Sequence, residues 1–80
     1  MEYKTRNIQL AVHLQLCGLQ LVRVEKIENE DHLNFVLLDS KNEVKHLIQA
    51  FWDKSLTFPT GKVLSVMAET KKRLYDAINN

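Results

Sequence analysis

His13 and Cys17 lie four positions apart, so on a helix their side chains would be neighbours. A cysteine beside a histidine is the pairing from which a thiolate nucleophile is made. That chemistry also needs exposure, a third group to orient the imidazole, and donors for an oxyanion. No neighbouring residue supplies them, and a small cysteine just before Gly18 reads as a packed residue at a helix end. His13, His32 and His46 are the only histidines. They fall on three separate segments with no partner at metal-ligand spacing, so no metal site is expected. The chain has no glycine-rich phosphate loop, no nucleophile elbow and no paired carboxylates in a plausible cleft. The expectation is a protein that is not an enzyme and holds no cofactor.

The other chemistry-bearing run is Lys71-Lys72-Arg73. Successive helical residues are rotated by about 100°, so three adjacent cations point in three directions and cannot form one patch. With Val63 and Leu74 at the middle of the buried face, Lys72 and Arg73 fall on the polar side with Lys62, Ser65, Glu69 and Asp76. Lys71 falls within the apolar arc, beside Leu64, Met67, Leu74 and Tyr75, where its stem can cover apolar surface while its ammonium reaches water. Trp52 and Tyr75 have the ring faces that single-strand binders stack on bases. Trp52, however, follows Phe51 on a stripe expected to face the core.

These residues must be positioned by a small scaffold. Eighty residues with a net charge of +1 make one domain with no bulk attraction for nucleic acid or an anionic membrane. One cysteine allows no internal disulfide. The N-terminus lacks a signal-peptide apolar core and no apolar run is long enough to span a bilayer, so the cytoplasm is the expected location and no membrane partner is expected.

Residues 7 to 18, "NIQLAVHLQLCG", fit both a strand, through alternation of Ile8, Leu10, Val12, Leu14 and Leu16, and a helix, through Ile8, Ala11, Val12, Gln15 and Leu16. Thr5 as N-cap and Gly18 as the left-handed residue past the end favour the helix. Such a helix is apolar around most of its circumference, and is either central in the domain or shared with a second copy. Residues 19 to 39 read as a hairpin with "ENED" as its turn, and the run Phe35-Val36-Leu37-Leu38 is apolar on both faces, as in a strand covered on both sides or at an interface. Ser40-Lys41-Asn42-Glu43 reads as a capping box. Val44, Leu47, Ile48, Phe51 and Trp52 then form a helical stripe. "SLTFPTG" is a connector with a short edge strand at Leu56–Phe58, and a last helix runs from about Gly61 to Ile78. The expected fold is a single α+β domain over residues 1–80, in the order α-β-β-α-(short β)-α, with three helices packed on an antiparallel hairpin and with residues 1–4 and 79–80 frayed.

Tyr3-Lys4-Thr5-Arg6 before an apolar helix closed by Gly18, a Phe35 strand running into Asp39-Ser40, the Phe51-Trp52 pair, and the closing stretch from Lys71 through Tyr75 make a pattern. It resembles a family of small bacterial and phage proteins known only as a domain of unknown function. The resemblance implies a prokaryotic or phage origin and supports the helix at 7–17; it carries no site residues across. Cys17 before Gly18 and the acidic "ENED" turn depart from the family's usual pattern.

Three functions are weighed on these grounds. The first is a non-enzymatic interaction module, a homodimer that binds another protein, with Leu10, Leu14, Val36, Leu38 and Trp52 as interface candidates; if the origin is phage, the partner would be a host factor. The second is a nucleic-acid-binding module using Lys41, Lys45, Lys54, Lys62, Lys72 and Arg73. The third is an oligomer that sequesters a ligand at a subunit boundary, where Lys71 would meet an anion. Lys62, Lys71, Lys72 and Arg73 are therefore the candidate anion contacts.

Overall fold

A computed structural model describes residues 1–27 and 32–79. The elements in chain order are β1 (Glu2–Thr5), α1 (Ile8–Leu16), β2 (Gln20–Lys26), β3 (Leu33–Leu38), α2 (Val44–Asp53) and α3 (Thr60–Ile78). This is an α+β domain with three helices and a three-stranded antiparallel sheet of order β1-β3-β2. The "ENED" turn lies outside the described residues.

Two elements differ from expectation. Residues 2–5 are a strand rather than a frayed end. Tyr3 pairs with Leu37 and Thr5 with Phe35, so β1 occupies the edge of β3 opposite β2. Leu56–Phe58 forms no strand. β3 is already paired on both sides, and α3 packs against β2, so the connector runs along the helices instead.

The ambiguity of residues 7–18 resolves as a helix. Asn7, not Thr5, is the N-cap: its Oδ1 accepts the Gln9 and Leu10 amides at 2.9 and 3.2 Å. Thr5 Oγ1 instead accepts the Asn7 amide. Gly18, at φ +107°, closes the end, with its own amide on Gln15 O and the Leu19 amide on Leu14 O. Leu10, Ala11, Val12, His13 and Leu14 are five consecutive buried residues. The helix is therefore central: it packs on both other helices and all three strands. Leu10, Ala11 and Leu14 meet Leu21, Phe35 and Leu37 from the inner face of the sheet.

The outer sheet face explains why the β3 run is apolar on both sides. Val36 is wholly buried, although it points away from Phe35 and Leu37. Its neighbours across the strands are Lys4 on β1 and Arg23 on β2. Lys4 Nζ reaches Glu25 at 2.8 Å and Arg23 Nη1 reaches Glu2 at 2.8 Å. Each ion pair joins β1 to β2 and so crosses the central strand. Their aliphatic stems flank Val36 and their charged heads stay in water. A bulge between Leu21 and Arg23 puts Arg23 opposite Val36.

No capping box forms at α2. Asp39, buried at the end of β3, accepts the Glu43 amide on Oδ1 and the Val44 amide on Oδ2, at 2.9 and 3.2 Å. Its own amide donates to Met1 O, so one residue joins β1, β3 and the start of α2.

Candidate functional site

α1 and α2 end with the same backbone closure, built from different residues. At α1 the left-handed position is Gly18. At α2 it is Lys54, at φ +54°, with its amide on Phe51 O and the Ser55 amide on Ala50 O. An L-residue there costs roughly 1 kcal/mol relative to glycine. The closure turns the chain sharply, and the connector then passes over α1 before α3 begins.

That path leaves a cleft of about 380 Å³. Val12, His13 and Leu16 of α1 form one wall and Ala50 and Phe51 of α2 another. Leu56 and Phe58 of the connector, with Val63 and Met67 of α3, complete it. Gln9, Lys54 and Leu56 are exposed lining residues, so this is a groove open to solvent. Lys54 is the only lysine or arginine among the lining residues, and no carboxylate lines it.

His13 stands in the α1 wall of the groove. Its Nε2 lies 2.9 Å from the Leu47 carbonyl oxygen, so that nitrogen carries the proton and donates. The ring meets Phe51 and Phe58 edge-on, at centroid separations of 5.2 and 5.7 Å. Cys17 Sγ approaches the same Nε2 at 3.6 Å. The nitrogen facing the thiol is thus a donor already directed at a carbonyl, not a lone pair ready to take the thiol proton. Burial pushes the Cys17 thiol above its ordinary value. The pair has none of the polarisation that makes a nucleophile.

The sequence-level site residues are dispersed. Leu10, Leu14 and Val36 are buried within the chain itself and offer no surface to a partner. The apolar excess that marked them is consumed by the central position of α1 and by the ion pairs over β3. Leu38 is 38% exposed on the outer sheet face, and Trp52 is 65% exposed rather than in the core. α2 packs mainly on α1. Val44, Leu47, Ile48 and Phe51 take the partly buried face, and one further residue of rotation carries Trp52 out, touching Phe51 edge-on at 5.1 Å.

Lys62, Lys71 and Lys72 are exposed on α3. Arg73 is not on a polar face. Its Nη1 and Nη2 donate to the Leu21 and Val22 carbonyls at 2.6 and 2.9 Å, so its guanidinium is committed to the sheet. The centre of the α3 buried face is Thr70, which is fully buried: it accepts from Gln15 Nε2 at 2.9 Å and donates to Val66 O at 2.7 Å. Thr70 shares the arc of Val63 and Leu74, about 20–40° from them at 100° per residue, but a threonine is invisible to an apolar count, and Arg73 is assigned to water on its polarity. The groove itself was not legible either, because Leu56 and Phe58 read as a strand.

Among the described residues no group of three or more His, Cys, Asp or Glu side chains could hold a metal ion. None of the described helices is long and apolar enough to cross a membrane.

No match is found among curated proteins, and none among solved structures. A family model covers residues 1–76, nearly the whole chain and every strand and helix but the last two residues of α3. The chain belongs to the family described as Domain of unknown function (DUF5659).

Proposed function

We propose that this domain is a non-enzymatic protein-interaction module that takes an apolar anchor of a partner into the groove between α1, α2, the connector and α3. The observation that supports this most is the groove itself. Its volume is that of one or two large side chains with space around them, its walls are aliphatic and aromatic, and it is open at Leu56. Open apolar grooves of this kind suit a side chain presented by another protein better than a small substrate, which needs most of its surface enclosed. Trp52, Leu56 and Leu64, at 65, 45 and 64% exposure, add apolar surface on residues that line the groove or adjoin its lining in the chain. Surface of this type marks association sites. The partner is a different protein rather than a second copy. Leu10, Leu14 and Val36, three of the residues that suggested self-association, are used inside the chain.

A photo-crosslinking residue placed at Leu56, and separately at Lys45 on α2 outside the groove, tests this in the producing cell. The expected result is a protein adduct from position 56 and none from position 45. Equal adducts from both positions, adducts from 45 alone, or a crosslinked homodimer would overturn the reading.

A further inference from the structure

Lys54 stands where backbone geometry favours glycine, and it does so at the mouth of an apolar groove. Gly18 fills the equivalent position at the end of α1. Among the described residues, no side-chain partner holds the Lys54 ammonium. Its neighbour Asp53 instead accepts from the Gln49 side-chain Nε2 at 3.0 Å along α2. The lysine thus stands at a strained position, closing α2 through its backbone amide and favoured there by the negative end of that helix, while its ammonium has no side-chain partner among the described residues. Strain retained in this way clusters where a side chain meets a ligand.

The groove lining carries charge of one sign, with the exposed Asp53 next to Lys54 in the chain but not in the lining. No carboxylate lines the groove. α3 begins at its edge with Pro59 as N-cap, no side-chain cap and no acidic residue in its first turn, and Lys62 is exposed there. The positive end of a 19-residue helix therefore adds to the field of the lysine without an internal anion to neutralise it.

From these observations we infer that the segment bound in the groove is an acidic, amphipathic peptide: a large apolar side chain enters between Phe51, Leu56 and Phe58, and a carboxylate close to it in the partner's chain pairs with Lys54. This rests on the protein-interaction reading and specifies the partner's chemistry. Lys54 acts as a selectivity residue, since an exposed pair of this kind discriminates between partners more than it adds affinity.

The test is selection of a random 12-residue peptide library displayed on phage against the purified full chain and against its Lys54→Glu and Lys54→Gly variants. Backbone amide NMR shifts would locate each enriched peptide. On the wild type, enriched sequences are expected to carry Leu, Phe or Trp with Asp or Glu within four positions, and to shift Ala50, Leu56 and Phe58. On Lys54→Glu the acidic preference is expected to give way to Lys or Arg, and on Lys54→Gly to vanish. Lys54→Gly should melt above the wild type, which separates lost selectivity from lost folding. Groove-binding peptides without acidic enrichment, or with the same acidic enrichment on Lys54→Glu, would overturn the inference and leave the protein-interaction reading standing. Enriched peptides that bind only outside the groove, or none at all, would overturn both.

Discussion

Arg73 of α3 and Leu21 of β2 are joined by a 2.6 Å hydrogen bond from Nη1 to the main-chain carbonyl, and Nη2 takes the next carbonyl, Val22, at 2.9 Å. These carbonyls lie at the bulge that turns Arg23 over Val36. One planar guanidinium thus fastens the last helix to an edge strand at its most irregular point. Arg73→Ala should cost about 1.5–3 kcal/mol, the range for hydrogen bonds to a charged group, since both bonds are part-buried. Arg73→Lys should recover less than half of this, because an ammonium cannot present two parallel N–H groups. Urea denaturation of the three proteins measures both.

The roof over Val36 should respond to acid. Hydrogen bonding from Arg23 holds the Glu2 carboxyl below its ordinary 4.5, and hydrogen bonding from Lys4 does the same for Glu25. The unfolded chain therefore binds protons at a higher pH than the folded one. The stabilisation is complete above the ordinary glutamate range and is lost as pH falls through the lowered folded values. Thermal melts between pH 6 and pH 2 should show a wild-type acid limb that is shallower in the Glu2→Gln/Glu25→Gln double variant. Because the Glu2 carboxylate is exposed and that of Glu25 partly so, 0.5 M salt should shrink the difference.

Gly18 and Lys54 occupy matching left-handed positions, so opposite substitutions should move stability in opposite directions. Gly18→Ala has no atom to collide with within 4 Å, so its cost is conformational alone, about 1 kcal/mol. Lys54→Gly should gain a similar amount, about 0.5–1 kcal/mol. Chemical denaturation reads both.

Cys17 should behave as an inert thiol. Burial raises its pKa, and the facing His13 nitrogen is a donor already committed to Leu47. Its alkylation by iodoacetamide at pH 7.5 should be slower than that of free cysteine, and should accelerate to the free rate in denaturant. A native rate above that of free cysteine would mean that the thiolate is stabilised after all.

What the sequence revealed depended on how much of each signal was local. Gly18 closes α1 as its position implied, and the stripe Val44, Leu47, Ile48 and Phe51 places α2 correctly, because both follow from chain geometry within a few residues. β1 was missed because four residues of alternation, Glu2 to Thr5, acquire meaning only from pairing with β3, thirty or more positions away. The cap on α2 was misassigned although it too is local: Asp39 stands one position before the Ser40 that a capping-box pattern selects, and its two carboxylate oxygens take the Glu43 and Val44 amides. Arg73 was assigned to water, and Thr70 was given no place in the core, because polarity was taken for exposure. A buried hydroxyl bonded to Gln15 and Val66, and an arginine bonded to two carbonyls, are both satisfied polar groups that only the tertiary arrangement supplies.

The groove is the centre of the functional account, and its most direct test compares two surface substitutions. The protein captured at position 56 should be purified and its affinity measured for the wild type, for Leu56→Glu in the groove, and for Leu38→Glu on the outer sheet face. The expected result is at least a tenfold loss for Leu56→Glu and no change for Leu38→Glu. An unchanged affinity for Leu56→Glu, or a loss confined to Leu38→Glu, would place the interaction surface elsewhere and contradict the assignment.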